Sequence, residues 1–242
     1  MLNLEKIKGI IFDYGGTIDS NGTHWAEVIL MAYEALHIPV SKDVFREAYV
    51  HAERTLAKNR IIQPNHNFWH VVRLKAETQI QWLIDNNCLP AADAGVTKYT
   101  TGIADWCYAY AQMAVSIALP IIRKLSEKYP LVLVSNFYGN MEAVLKDFHL
   151  ATLFNAVVES SVAGVRKPDP EIFRLGVKAL GFAAGEIAVI GDSYDKDVVP
   201  AGAIGCRTIW LKRAGWNEYK GDETADCIIT DFTGLKEIFQ LQ

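Results

Sequence analysis

Three short apolar runs end in residues that can do chemistry, and two more such residues follow in the loops. Asp13 closes IKGIIFD, Ser135 with Asn136 closes LVLVSN, and Asp192 closes IAVIGD; Lys167 sits in the stretch VRKPDPEIF, and Asp197 follows five residues after Asp192. A carboxylate can attack phosphorus and form an aspartyl-phosphate, dividing one hard hydrolysis into two easier steps. Two carboxylates can also hold Mg2+, a hard cation that takes oxygen ligands and keeps several waters. A hydroxyl, backbone N–H groups and an ammonium are the donors expected around a transferring phosphoryl group. Asp197 can bind a metal-bound water, orient Lys167, or favour a helix N-terminus as a carboxylate. Taken singly, each residue reads as an ordinary turn or cap. Together, in chain order and at matching run ends, they describe one site.

The elements that must position them are legible in the same runs. IKGIIFD, LVLVSN, AVVESS, IAVIGDS, RTIWLK and CIITD are apolar without alternation, which is how parallel strands covered on both faces read. Amphipathic helical segments fall between the later ones, at 120–129, 139–148, 170–180, 195–204 and 233–239. This alternation predicts an α/β fold with a doubly wound parallel sheet, whose functional groups gather at the carboxyl ends of the strands. Residues 22–118 break the rhythm: THWAEVILMAYEAL, KDVFREAYVHAERTLAKN and NFWHVVRLKAETQIQWLIDNN carry apolar residues at three- and four-residue spacing, with no strand between them. The expected organisation is a core of residues 1–20 and 119–242 with an all-helical insert, 21–118. Pro120 is expected in the first turn of the helix that re-enters the core.

Composition excludes several classes. Half of the 242 residues are apolar, and 24 basic against 28 acidic residues leave a net charge of −4, without the basic excess that nucleic acid or a membrane surface attracts. The longest apolar run, MAVSIALPII, is too short for a membrane span and is broken by Pro120. The four cysteines, Cys88, Cys107, Cys206 and Cys227, lack zinc spacing and are expected as reduced thiols. With no apolar signal region in MLNLEKIKG, the expected compartment is the cytoplasm and the expected state a monomer or homodimer.

FDYGGTIDS, LVLVSN, VRKPDPEIF and IGDSYDKDVVPAGAIG resemble, in order and over the whole chain, the four motifs of the haloacid dehalogenase superfamily of hydrolases. The final strand GCRTIWLKR has the same look. The resemblance implies a Rossmann-like core with a helical cap inserted after the first motif, and a small phosphorylated substrate. It implies Asp13 as nucleophile, Ser135 and Lys167 holding the phosphoryl group, and Mg2+ bound by Asp13, Asp192 and the backbone carbonyl of position 15.

Position 15 is where the chain departs from the pattern. Typical phosphatases of the family carry a second aspartate there, which protonates the leaving group; this chain has Gly15. General acid–base help is worth about a hundred- to ten-thousandfold. Its absence leaves three readings: a Mg2+-dependent phosphatase of activated phosphates or with its acid elsewhere, a carbon–phosphorus hydrolase using a cap residue, or a weakly active protein that binds a phosphorylated ligand. Metal-free dehalogenation fits less well, because those enzymes lack the Gly-Asp that stands here as Gly191 and Asp192. A replacement acid would have to come from the insert, where the candidates are His24, His51, Lys58, His66 and His70, although histidines and lysines on helices are usually solvated or capping side chains. Trp25, Trp69, Trp82 and Trp106 are expected in the insert's core.

Overall fold

The computed structural model describes residues 3–90, 93–213 and 224–241; Met1 and Leu2 of MLNLEKIKG lie outside them. Six parallel strands form one sheet: β1 (Gly9–Phe12), β2 (Leu131–Ser135), β3 (Ala156–Glu159), β4 (Ile187–Gly191), β5 (Arg207–Leu211) and β6 (Cys227–Ile229), in the order β3-β2-β1-β4-β5-β6. All six apolar runs of the sequence are strands. The strand order reverses between β1 and β4, with β2 on the other side of β1, so the carboxyl ends of these three adjacent strands border one crevice. β1, β2 and β4 are buried along their whole length, which is why they carry no polar alternation.

Among the described residues, four helices stand between β1 and β2: α1 (Trp25–Ala35), α2 (Lys42–Lys58), α3 (Phe68–Asp85) and α4 (Asp93–Ser126). Side chains of His24, Ser41 and Asn67 cap the first three, each accepting a backbone N–H of the first turn. The end of the insert differs from expectation. Pro120 does not open a new helix; it lies inside α4, which runs unbroken to Ser126. A proline within a helix removes one backbone bond and costs about 3 kcal/mol. Val115, Ala118, Ile121, Ile122 and Leu125 are all buried on either side of it, and each large side chain so placed contributes about 1.5–3 kcal/mol. Packing outweighs the break, so position 118 falls within a helix.

The remaining helices are short: α5 (Met141–Asp147), α6 (Ser160–Ala163), α7 (Glu171–Leu180), α8 (Val199–Ala203) and α9 (Leu235–Ile238). The helix expected at 195–204 is divided. A wide π turn, Tyr194–Val198, precedes α8. Buried Glu159 at the end of β3 turns its carboxylate to the backbone N–H groups of Gly139, Asn140 (3.2 Å) and Met141 (3.3 Å), fixing the loop that follows β2. The four cysteines are free thiols, and no helix among the described residues is long and apolar enough to cross a membrane.

Candidate active site

Asp13 follows β1 directly, and its N–H donates to the Ile190 carbonyl (2.9 Å), which draws the ends of β1 and β4 together. Lys167 is buried between two carboxylates: its Nζ lies 2.5 Å from Asp13 Oδ1 and 2.6 Å from Asp197 Oδ1. Burial alone would lower the ammonium's pKa, but the Asp13 and Asp197 charges outweigh it and raise it, so Lys167 stays charged. Its backbone is held as firmly. The Asn136 side chain accepts from Lys167 N–H (2.9 Å) and donates to Lys167 C=O (3.0 Å).

Asp197 is the orienting group for that lysine. One oxygen takes the Lys167 ammonium and the other accepts the Ser193 N–H (3.0 Å), a geometry that the π turn between Asp192 and Val199 permits. Its carboxyl is pushed up to about 6, chiefly by burial and partly offset by Lys167. Asp192 is raised well above the ordinary carboxylate range, first by removal from water and then by the facing charges of Asp13 and Asp197.

Two glycines allow this crowding. Gly16 takes φ +97°, and a Cβ there would stand 2.4 Å from Asp192 Oδ2. A Cβ at Gly191 would stand 2.4 Å from that of Asp197. Gly15 is the opposite case, since a side chain there would enter open space, with no atom within 4 Å of its Cβ.

The carboxylates of Asp13, Asp192 and Asp197 each place an oxygen within 4.8 Å of the others. Three acids therefore face one ammonium, and the surplus is negative. A divalent cation with oxygen ligands suits this donor set. Asp13 and Asp197 each already give both oxygens to protein donors, Asp13 to Lys167 and Thr17 and Asp197 to Lys167 and Ser193. Together these groups offer a desolvated carboxylate nucleophile, a fixed ammonium beside it and a place for a cation, which is the equipment of phosphoryl transfer.

Of the residues expected at the site, Asp13, Lys167, Asp192 and Asp197 are brought into one cluster, with Asn136 clamping Lys167. Ser135 is buried at the end of β2, next to β1 in the sheet. Sequence reasoning missed Thr17. Its hydroxyl shares a proton between Asp13 Oδ2 (2.9 Å) and Asp192 Oδ1 (3.2 Å) and accepts the Asp192 N–H (3.0 Å), tying the two acids together. Its place four residues beyond Asp13, in a glycine turn that folds back, was the available signal.

Three of the side chains expected as substitute acids, His24, His66 and His70, are otherwise engaged. His24 Nδ1 accepts the Ala26 N–H (3.1 Å) as the cap of α1, and burial pulls its pKa down to about 4, so the ring is neutral near pH 7. His66 and His70 stack on each other at 5.0 Å and bond to Gln63 and Asn67 within their own segment. Lys58 is exposed at the end of α2, and His51 lines a groove with Arg46, Arg54 and Trp82, its Nε2 3.3 Å from Thr55 Oγ1. Trp25, Trp82 and Trp106 pack against the insert's core, whereas Trp69 donates its Nε1–H to Asp105 (2.7 Å).

Residues 7–205 match the family model of the haloacid dehalogenase-like hydrolases. The chain is 27% identical over 183 residues to a glyceraldehyde 3-phosphate phosphatase of Pyrococcus furiosus, covering 73% of this chain and 70% of that one. It is 24% identical over 241 residues to a phosphoglycolate phosphatase of Yersinia pseudotuberculosis, covering 97% and 94%. Other matches are shorter: one to a glyceraldehyde 3-phosphate phosphatase of Methanocaldococcus jannaschii, 33% identical, spans 35% of this chain and 37% of that relative's length. Among solved structures, the HAD-hydrolase YfnB of Bacillus subtilis, bound to magnesium, superposes with a TM-score of 0.60 at 17% identity, over 97% of this chain and 99% of that one. The L-2-haloacid dehalogenase of Xanthobacter autotrophicus does so equally well, with a TM-score of 0.60 at 16% identity over 98% and 99%, so overall shape does not separate the two chemistries. With the family model covering the strand ends that carry Asp13, Lys167 and Asp192, the chain belongs to the haloacid dehalogenase-like hydrolases.

Proposed function

We propose that the protein is a Mg2+-dependent phosphohydrolase of a small phosphorylated metabolite, working through an aspartyl-phosphate on Asp13. The observation that carries the reading is the buried Asp13–Lys167–Asp197 arrangement with Asp192 beside it. Phosphatase-named relatives support the substrate class. Asp13 and Asp192, with the carbonyl of Gly15, would hold the cation. Once bound, the ion supplies charge that offsets repulsion between Asp13 and an anionic substrate.

The chain's own groups divide the work. Asp13 attacks phosphorus, the leaving group departs, and water then cleaves the acyl phosphate and frees the carboxylate. Lys167 neutralises the phosphoryl oxygens as they turn toward Asp13, and Asp197 and Asn136 keep it from following the charge away. Ser135, at the adjoining strand end, and the backbone N–H groups of its loop are donors to the same oxygens. No carboxyl stands at position 15 to protonate the leaving group, and His24 is neutral and engaged as a helix cap. The enzyme is accordingly suited to leaving groups stable without a proton, such as aryl oxides and carboxylates.

The test is phosphate release from p-nitrophenyl phosphate, acetyl phosphate and glycerol phosphate, with and without Mg2+, on the wild type, Asp13→Asn and Gly15→Asp. We expect activity only with Mg2+, favouring the first two substrates and lost in Asp13→Asn. Because the space beside Gly15 is open, Gly15→Asp should raise glycerol phosphate turnover by about tenfold or more. Equal wild-type rates on alkyl and aryl phosphates would refute the missing acid. Metal-independent halide release from a haloacid would overturn the reading altogether.

A further inference from the structure

Asp19 is 1% exposed, and the reaction outlined above does not use it. Two donors converge on one of its oxygens: Oδ1 accepts the Gly16 N–H at 2.8 Å and the Trp25 Nε1–H at 2.9 Å. Oδ2 is buried without a hydrogen-bond partner. The first donor belongs to the turn that presses against Asp192. The second opens α1, the first helix of the insert, and its ring packs on Phe68 of α3 at 5.0 Å. One oxygen atom therefore joins the nucleophile's loop to the helical insert.

The loop has few other restraints on Gly16. Its carbonyl accepts the Gly22 N–H (2.7 Å), and the Thr17 and Ile18 N–H groups return to the Tyr14 carbonyl. Gly16 lies so close to Asp192 that a Cβ there would overlap Oδ2, and the next residue, Thr17, bridges Asp13 and Asp192. A small displacement here reaches both acids. Keeping a carboxyl in this place is costly: burial, reinforced by Asp13, pushes it up to about 7 against the opposing pull of Gly16, Trp25 and the Lys75 ammonium. With both N–H donors on Oδ1, the unpartnered Oδ2 is the atom that can carry a proton without breaking either bond.

We propose that Asp19 is a positioning residue for the catalytic loop, its Oδ1 holding Gly16 against Asp192 and, through Trp25, setting that loop to the position of the helical insert. It is the acceptor oxygen, rather than the negative charge, that does this. The kinetic consequences rest on the phosphohydrolase reading; the effect on cation binding does not.

Asp19→Ala, Asp19→Asn and Trp25→Phe are compared with the wild type by calorimetric titration of Mg2+ alone, by kcat and KM on p-nitrophenyl phosphate, and by thermal melting. Asp19→Ala should weaken Mg2+ binding and lower kcat about ten- to a hundredfold, as a misplaced catalytic group does. Asp19→Asn keeps the acceptor and should restore both. Trp25→Phe removes the bond to the insert while keeping an aromatic ring against Phe68, and should raise KM about two- to tenfold, one hydrogen bond's worth, at unchanged Mg2+ affinity. A merely structural role would lower the melting temperature of Asp19→Ala while leaving Mg2+ affinity and the kcat of the folded protein alone, and that result overturns the proposal. Asp19→Asn behaving as badly as Asp19→Ala also overturns it. Should Asp19→Ala fail to fold, Trp25→Phe decides: an unchanged KM counts against the proposal, a raised one for it. If Asp13→Asn retained full activity, the aspartyl-phosphate reading would fall, and if the wild type released no phosphate the phosphohydrolase reading would fall, while the Mg2+ titrations would still judge Asp19.

Discussion

A buried carboxyl such as Asp19 leaves a signature in how stability varies with pH. In an unfolded chain an aspartate titrates near 3.9, whereas in the fold Asp19 is held at about 7 by burial. Below about pH 4 both states carry the proton and the residue contributes nothing. As the pH rises from about 4 to about 7 the unfolded state ionises and the folded one does not, so stability falls, by up to about 4 kcal/mol. Asparagine does not titrate. The stability of Asp19→Asn relative to wild type should therefore improve steadily across that window, read as urea midpoints at several pH values. Other raised acids at the site, Asp192 and Asp197, cancel in the comparison; parallel profiles would show that Asp19 ionises in the fold as freely as outside it.

Helices and strands reach their positions here through small residues as much as through large ones. Gly176 lies in the middle of α7, where alanine would improve helix propensity by about 1 kcal/mol. It also faces the sheet: a Cβ there would stand 2.9 Å from Ile11 Cδ1 on β1 and 2.9 Å from Val134 Cγ2 on β2. Overpacking of this kind costs typically about 1–3 kcal/mol, so the steric effect wins. Gly176→Ala should lower stability by about 1 kcal/mol, seen as a lower urea midpoint at unchanged slope. The same balance explains α4, where propensity argued for a break at Pro120 and burial on both sides kept the helix whole. The six strands were legible because burial on both faces selects apolar residues regardless of context. The end of the insert was not, because whether a proline starts a helix or interrupts one depends on what packs around it.

At the scale of the whole molecule, the site joins loops that lie far apart in sequence, and cation binding should therefore stabilise the entire fold. A ligand at a hundred times its dissociation constant adds about 2.7 kcal/mol. For a domain of this size that is roughly 5–10 °C in melting temperature. Mg2+ should raise the melting temperature of the wild type by that much and leave Asp192→Asn unmoved. Without metal, Asp192→Asn should melt higher than the wild type, since it removes a charge that Asp13 and Asp197 oppose. A variant that still responds to Mg2+ would place the cation elsewhere.

The local alphabet of the chain was enough to determine the sheet and the helices inserted into it, and to single out Asp13, Asn136, Lys167 and Asp192 as candidates. Parallel strands must be apolar, and acids at their ends are costly unless a function or a cap retains them. Position 15 was equally plain, since a glycine cannot carry a proton. Tertiary structure alone decided what surrounds these residues. It showed Asp197 orienting Lys167, Thr17 tying Asp13 to Asp192, and Asp19 joining Gly16 to Trp25. It also showed His24 spent as a helix cap. Hydrogen bonds reach about 3 Å and depend on direction, so no spacing along the chain can reveal them before the fold brings their partners together.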